Sequence, residues 1–349
     1  MLRPQGGFFS LVPRTGDRRG KGKLAQRVAI IGSGFSGIAA AVALRKRGIG
    51  YVVLEQADGI GGTWWKNRYP GAEVDLESHI YSFSFAREAW TRTHATRAQL
   101  GDYLQRVAAE QGVAPHVRLN ESVTRVEWDE RSQAYTVETT SGVDHGEFTA
   151  VISAVGFLNI PLMPPFARDG GKFPGVVSHT AEWPEGLDMT GRVVGVVGTG
   201  SSAVQVVPEA AKVASRVKIF QREANWILPK KARDFSRLER RLLSTRFGYA
   251  ARRRWLYATY DLRQAFGGHA LEGHRPHTRR AVAARDYLEE SLASRPDLMA
   301  AVTPDDVFEG RRPVLSDTYY ETLLSDKVEL IPHSALEEDD GEPSGPNLP

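Results

Sequence analysis

The stretch VAIIGSGFSGIAAAVALRKRGIGYVVLEQADGIGGTWWKNRYPGAEVD, residues 28–75, decides the fold. Val28 to Ile31 is a four-residue apolar run, hydrophobic on both faces, which predicts a buried parallel strand. Gly32, Gly34 and Gly37 follow as G-x-G-x-x-G, then a helical segment, then a second apolar run from Tyr51 to Leu54 that closes on Glu55. Each part has its own physical reason. Gly32 allows a tight turn out of the strand, Gly34 leaves the backbone open to a pyrophosphate, and Gly37 lets the helix pack closely on the sheet. The helix N-terminus offers unpaired N–H groups and a partial positive charge to phosphates. Glu55, at the end of the second strand, is placed to accept hydrogen bonds from ribose hydroxyls. Glycine is common here, 34 of 349 residues, so the spacing carries weight only because strand, helix, second strand and acid are in register with it.

A chain of 349 residues predicts two domains, each large enough for its own core. Hydrophobic residues at 41% and charged residues at 25% are ordinary for a globular protein. No apolar run approaches the length of a membrane span, so stable membrane insertion is not expected; a cytoplasmic location is expected. The net charge of +3 is spread along the chain rather than gathered in a tract, which argues against nucleic acid as a partner. There is no cysteine, which excludes disulfides, thiolate metal sites and dithiol redox chemistry; no metal is expected. Residues 1–24 are rich in Gly, Arg and Lys and lack a signal-like apolar core, so they read as a disordered extension.

Beyond Glu55 lies a Gly-rich loop with Gly61, Gly62, Thr63 and the pair Trp64-Trp65, ending at Asp75. Two adjacent tryptophans there need either a flat partner in a groove or a small core beneath the loop. The run GGTWWKNRYPGAEVD resembles the loop after the flavin-binding unit of class B flavoprotein monooxygenases, particularly the Baeyer-Villiger monooxygenases. The resemblance implies that Gly32, Gly34, Gly37, Glu55, Gly62, Thr63 and Trp64 hold FAD, and that Asp75 lies close to the flavin and the active site.

Thr96-Arg97-Ala98-Gln99 reads as a capping box opening an amphipathic helix through about Gln111. Alternating runs near Ser122–Trp128, Tyr135–Thr140 and Phe148–Val155 predict a small antiparallel excursion. Phe173 to Pro184 then matches F-x-G-x-x-x-H-x-x-x-W-P through Phe173, Gly175, His179, Trp183 and Pro184, and this is similar to the fingerprint of the Baeyer-Villiger type. Relatives that hydroxylate nitrogen or sulfur usually carry other residues in place of Trp-Pro. For His179 a structural role in the inter-domain linker is favoured over acid-base chemistry.

A second βαβ unit starts at Arg192, with a strand Val193–Val197, the turn Gly198-Thr199-Gly200-Ser201-Ser202-Ala203, a helix to about Ala214 and a strand Val217–Phe220. Alanine in the third glycine position is an accepted variant. Where Glu55 closes the first unit, Gln221-Arg222 closes the second. An arginine there matches a 2'-phosphate through paired donors, so NADP is expected rather than NAD, with Gly198, Gly200, Ser201, Ser202 and Arg222 around it. Disulfide reductases share the two-site layout but need a dithiol, which this chain lacks. From Lys230 to about Pro304 the pattern is helical and arginine-rich, either a solvated helical insertion or a membrane-surface helix; the resemblance favours the insertion, because the family carries one at this point. Gly310 to Tyr320 resembles the family's basic pair followed by S-D-x-Y-Y. By that match Arg311 contacts the NADP phosphate and Arg312 is the active-site arginine, held by Asp75.

The expectation is therefore an α/β protein with two Rossmann-like dinucleotide-binding domains of the three-layer FAD/NAD(P) type, the second carrying a helical insertion over 230–305. An FAD domain spans 25–160, an NADP domain 161–336, and a disordered acidic tail 337–349. The resemblance implies reduction of FAD by NADPH, a C4a-peroxyflavin formed with O2, and insertion of oxygen beside a ketone carbonyl to give an ester or lactone. Family members continue for roughly a further third, so a shortened flavin domain is expected. A nitrogen- or sulfur-hydroxylating enzyme and an inactive nucleotide-binding fragment remain the alternatives.

Overall fold

The computed structural model describes residues 26–164, 167, 173–266, 279–308 and 310–332. The expected extension 1–24, the acidic tail 337–349 and residues 267–278 of the helical segment lie outside the described residues.

The chain opens with β1 (Arg27–Ile31), α1 (Phe35–Lys46) and β2 (Gly50–Leu54), then α2 (Thr63–Lys66), α3 (Arg97–Glu110) and β3 (Val117–Arg118). A hairpin, β4 (Val123–Asp129) with β5 (Ala134–Thr139), precedes β6 (Ala150–Ser153). The first sheet is parallel in the order β3-β2-β1-β6. Strand alternation sends Val28 and Ile30 to one face, where they pack with Ile38 of α1 and Leu100 and Leu104 of α3. Ala29, Val52 and Leu54 face the other side, where Val137 and Phe148 of the hairpin region cover them. α3 starts as expected: Thr96 Oγ1 accepts from the Gln99 N–H, and the Gln99 side chain accepts from the Thr96 N–H.

The second unit holds β7 (Val193–Val197), α4 (Ala203–Val213), β8 (Arg216–Gln221) and β9 (Ile227–Leu228). Four helices follow: α5 (Arg237–Leu243), α6 (Arg246–Phe266), α7 (Arg279–Leu292) and α8 (Pro296–Val302). The chain returns through β10 (Val314–Leu315), α9 (Tyr319–Leu323) and β11 (Val328–Pro332). Its sheet is parallel, ordered β11-β8-β7. β9 and β10 pair in parallel, so the helical segment leaves and re-enters at one point. Its later half packs in the second core, with Leu288, Leu292 and Val302 against Val207, Ile219 and Tyr320. Its earlier half also reaches the first core through Phe235 and Tyr249. No helix among the described residues is long and apolar enough to cross a membrane.

Candidate dinucleotide sites and the junction between them

The glycine turn after β1 builds the first site. The Gly32 N–H donates to the Leu54 carbonyl at 2.8 Å, tying the turn to the end of β2. Gly34 caps α1, and Gly62, with φ +56°, passes so close that a Cβ on it would stand 2.9 Å from the Gly34 Cα. The two Gly-rich segments thus form a bare backbone cradle at a helix N-terminus, the arrangement that admits a pyrophosphate. They open into a cleft of about 470 Å³ walled by Glu55, Thr63, Trp64, Tyr81 and the segment from Ala154 to Ile160. Ala181, inside the Phe173–Pro184 fingerprint, also lines it.

Glu55 is only 4% exposed and is engaged by its own chain. Its Oε2 accepts from the Ser33 N–H (2.7 Å) and hydroxyl (2.8 Å), and its Oε1 from the Ala57 N–H (2.9 Å). The carboxylate therefore first fixes the glycine turn, a role that the spacing did not reveal. Oε1, with one donor, keeps acceptor capacity toward the cleft. The tryptophan pair divides: Trp64 lines the cleft and donates Nε1–H to the Tyr81 hydroxyl at 3.2 Å, whereas Trp65 donates to Asp58 at 2.6 Å and stacks beneath Arg68. Asp75 does not wall the cleft; it lies beside Tyr81, whose phenol is pushed up by burial and further by this carboxylate.

The second glycine turn is open, with no atom within 4 Å of where a Cβ on Gly198 or Gly200 would stand. Thr199 ties it to the loop after β8 by donating to the Glu223 carbonyl at 2.9 Å, and Asn225 donates back to Thr199. Arg222 therefore sits at the carboxyl ends of β7 and β8, beside the turn that carries Ser201 and Ser202. Arg311 reaches the same loop, pairing with Glu223 and, at 2.8 Å, with Asp306. Hydrogen bonding from Arg311 holds the Glu223 carboxyl below its usual range. Nothing in the local sequence signals that an acid already occupies the arginine assigned to the phosphate.

Between the two turns, Arg312 Nη2 lies 3.2 Å from Asp75 Oδ2, across 237 residues of sequence. The pair is asymmetric: the Asp75 side chain is largely buried while that of Arg312 is 75% exposed, so the cation stands in water rather than in a water-poor site. His179 caps the 3-10 turn Thr180–Glu182, its Nδ1 accepting from the Ala181 N–H at 3.1 Å, and Trp183 packs against the second core. Phe173 stands exposed, and its ring covers Gly175. A larger cavity, about 790 Å³, lies between α7, α8 and Trp226 and has no glycine in its walls.

Two parallel sheets, each opening on a glycine turn and a helix, with an ion pair joining the loop after the first turn to the segment before β10, define the two-dinucleotide-fold class. The chain belongs to the pyridine nucleotide-disulphide oxidoreductase family, whose model matches residues 29–240. It is 38% identical over 321 residues to a Baeyer-Villiger monooxygenase of Streptomyces coelicolor, a match covering 87% of this chain and 58% of that relative. Among solved structures, an oxidised steroid monooxygenase bound to NADP superposes with a TM-score of 0.72 at 32% identity, covering 88% of this chain and 65% of the other. OTEMO in complex with FAD and NADP gives 0.72 at 26%, covering 88% and 66%. The chain thus spans under two thirds of the length of these relatives, and it is similar to monooxygenases of the Baeyer-Villiger type throughout the matched part.

Proposed function

We propose that this chain carries the nucleotide sites of an NADPH- and FAD-dependent monooxygenase that converts ketones to esters or lactones with O2. The observation that carries the reading is the Asp75–Arg312 pair, which joins the loop after the first glycine turn to the segment beside the second. The backbone cradle of Gly34 and Gly62 fits the FAD pyrophosphate, Glu55 and Trp64 border the same cleft, and Arg222, with Arg311 once it leaves Glu223 and Asp306, would take the 2'-phosphate of NADPH. When bound, the flavin would accept hydride from NADPH and supply the oxygen-activating chemistry.

The residues of the chain do the rest. Arg312 stabilises the oxyanion that develops on the attacked carbonyl, and a fixed cation does this most strongly where water is excluded. At its present exposure Arg312 gains that strength only as binding displaces water. Asp75 holds the guanidinium by charge and hydrogen bond. Tyr81, bonded to Trp64 in the cleft wall, lies within the electrostatic reach of both Asp75 and Arg312. The chain has no cysteine, so the dithiol chemistry of disulfide reductases is closed to it.

The test is Arg312→Ala, assayed with NADPH and a panel of ketones, amines and sulfides. NADPH-dependent flavin reduction is retained and ester formation is lost. Normal ester yield removes Arg312 from the mechanism, and oxygenation of amines or sulfides alone assigns the site to heteroatom chemistry.

A further inference from the structure

Two carboxylates of the flavin loop, two residues apart, are each taken by a cation from the second unit. Val74 is buried in the first core, 2% exposed, and donates its N–H to the Ala95 carbonyl at 3.1 Å. Glu73, at an isolated bridge to Thr96, and Asp75, in the bend that follows, both reach cations of the second unit instead. Asp75 meets Arg312. Glu73 meets Lys230, Oε1 to Nζ 2.7 Å, and also Arg92 at 3.2 Å through Oε2, while its carbonyl accepts from Gln205 of α4 at 3.0 Å.

The cations share a support too. Lys230 follows β9 by two residues and Arg312 precedes β10 by two, and β9 and β10 are hydrogen-bonded partners. Asp317, just past β10, accepts from the N–H groups of Lys231 and Ala232, both at 2.8 Å, which locks the two strands beyond their pairing. One loop segment thus carries both acids and one ribbon both bases. The two contacts differ in strength: the Lys230 side chain is 2% exposed, whereas that of Arg312 is 75% exposed. A solvated pair at 3.2 Å does not hold its own geometry, and a buried one at 2.7 Å with a second cation on the same acid does.

We propose that Lys230 is a positioning residue: its buried pair with Glu73 sets the register between the Asn67–Asp75 loop and the β9–β10 ribbon, and so holds Arg312 against Asp75. The assignment rests on Arg312 being the oxyanion-stabilising arginine. Lys230 itself does not line the cleft.

Two measurements on the full chain test it. The first needs no turnover. Asp75→Asn and Arg312→Ala, alone and together, give a coupling of about two- to fivefold in the unfolding equilibrium constant, the range of exposed ion pairs. In the Lys230→Met background that coupling falls to within error, and Lys230→Arg restores it. Coupling that persists unchanged in the Lys230→Met background overturns the proposal. The second measurement is kinetic. Lys230→Met lowers kcat for ester formation at least tenfold while the KM for ketone and the rate of NADPH-dependent flavin reduction stay within twofold, and Lys230→Arg restores kcat. A loss that Lys230→Arg does not recover, or one that appears equally in flavin reduction, makes Lys230 a general structural residue and overturns the proposal. Glu73→Gln, which keeps side-chain shape, follows the same pattern and serves in place of Lys230→Met should the latter not fold. If Arg312→Ala keeps full ester yield, the active-arginine reading fails by itself; if Arg312→Ala abolishes the ester and Lys230→Met does not lower it, only the positioning role fails.

Discussion

Gly37→Ala adds a single methyl group to the third glycine of the first turn, and the structure gives its consequence in distances. The new Cβ would stand 1.9 Å from the Gly32 carbonyl oxygen, and real contacts of this kind exceed 3.0 Å, so something must move by about 1.1 Å. Gly32 cannot retreat, because its N–H is bonded to Leu54 and its own Cα side backs onto the Ala154 carbonyl. The first turn of α1 therefore moves outward, against the packing of Ile38, Ala41 and Val42. Overpacking of this kind costs about 1–3 kcal/mol, and the higher helix propensity of alanine returns up to roughly 1 kcal/mol. A domain with about 5–15 kcal/mol of stability survives that loss. Phosphate binding is hit harder. An N–H carried about 1 Å away from an anion loses a charge-assisted hydrogen bond, each worth about 1.5–3 kcal/mol, so one such loss weakens FAD binding by roughly 10- to 100-fold. The assay is flavin titration by fluorescence quenching beside thermal unfolding, with Ala203→Gly in the second unit as control. That control lowers stability by up to about 1 kcal/mol and leaves FAD affinity unchanged. A Gly37→Ala protein that binds FAD within threefold of wild type overturns this account of the turn.

Three further outcomes follow from the same geometry. Glu223→Gln with Asp306→Asn frees Arg311 from both carboxylates that compete with phosphate, so NADPH affinity, read by isothermal titration, rises severalfold; an unchanged Kd takes these pairs out of the nucleotide site. Burial, with Arg252 and Arg253 nearby, lowers the His79 imidazole to about 4, and burial with Lys230 does the same for His94. Both histidines fold neutral, so the unfolded chain binds protons first as pH falls through about 6.5, and their stabilisation is present above that pH and lost toward 4, by at most about 3 kcal/mol each. Urea midpoints from pH 7 to 4.5 should fall accordingly and fall less in His79→Gln; a flat profile contradicts the burial argument. Trp64→Ala removes a cleft wall and its bond to Tyr81, weakening FAD binding about tenfold by the same titration, whereas Trp65→Ala, facing Asp58 and Arg68, changes it little.

What the sequence showed well is what short-range physics decides. The β1-α1-β2 unit, the Thr96 capping box and the β7-α4-β8 unit are each written within a few dozen residues, in apolar period, glycine spacing and side-chain caps. The Asp75–Arg312 approach was legible only through resemblance, since no local pattern links residues 237 apart. Three features escaped. The spacing assigns Glu55 to a ribose, but its nearest donors are Ser33 and Ala57, because a turn that must be tight also supplies N–H groups to any adjacent buried acid. The division of Trp64 from Trp65 depends on a one-turn helix, α2, which points successive side chains about 100° apart. In the sequence Lys230 is one more charge in a basic helical stretch; its burial depends on Glu73 and Arg92 arriving from the other unit.

The Asn67–Asp75 loop is where the first unit makes a series of contacts with the second. Arg68 faces Glu185 at 3.9 Å, the Tyr69 hydroxyl meets Gln205 at 2.9 Å, and Gly71 runs so close to α4 that a Cβ would stand 2.5 Å from the Gln205 carbonyl. Glu73 and Asp75 add Lys230 and Arg312. These contacts are not equal. The Arg68 and Arg312 pairs are exposed at one end and worth at most about 1 kcal/mol each, and the Tyr69 hydrogen bond contributes about as much. Removing Glu73 costs roughly 3–5 kcal/mol, because the buried Lys230 ammonium is left behind without water, whereas removing Lys230 leaves Glu73 paired with Arg92 and costs less. The buried Glu73 contact is therefore the costliest of the set to break, and because it lies two residues from Asp75 it limits how far the acid facing Arg312 can shift.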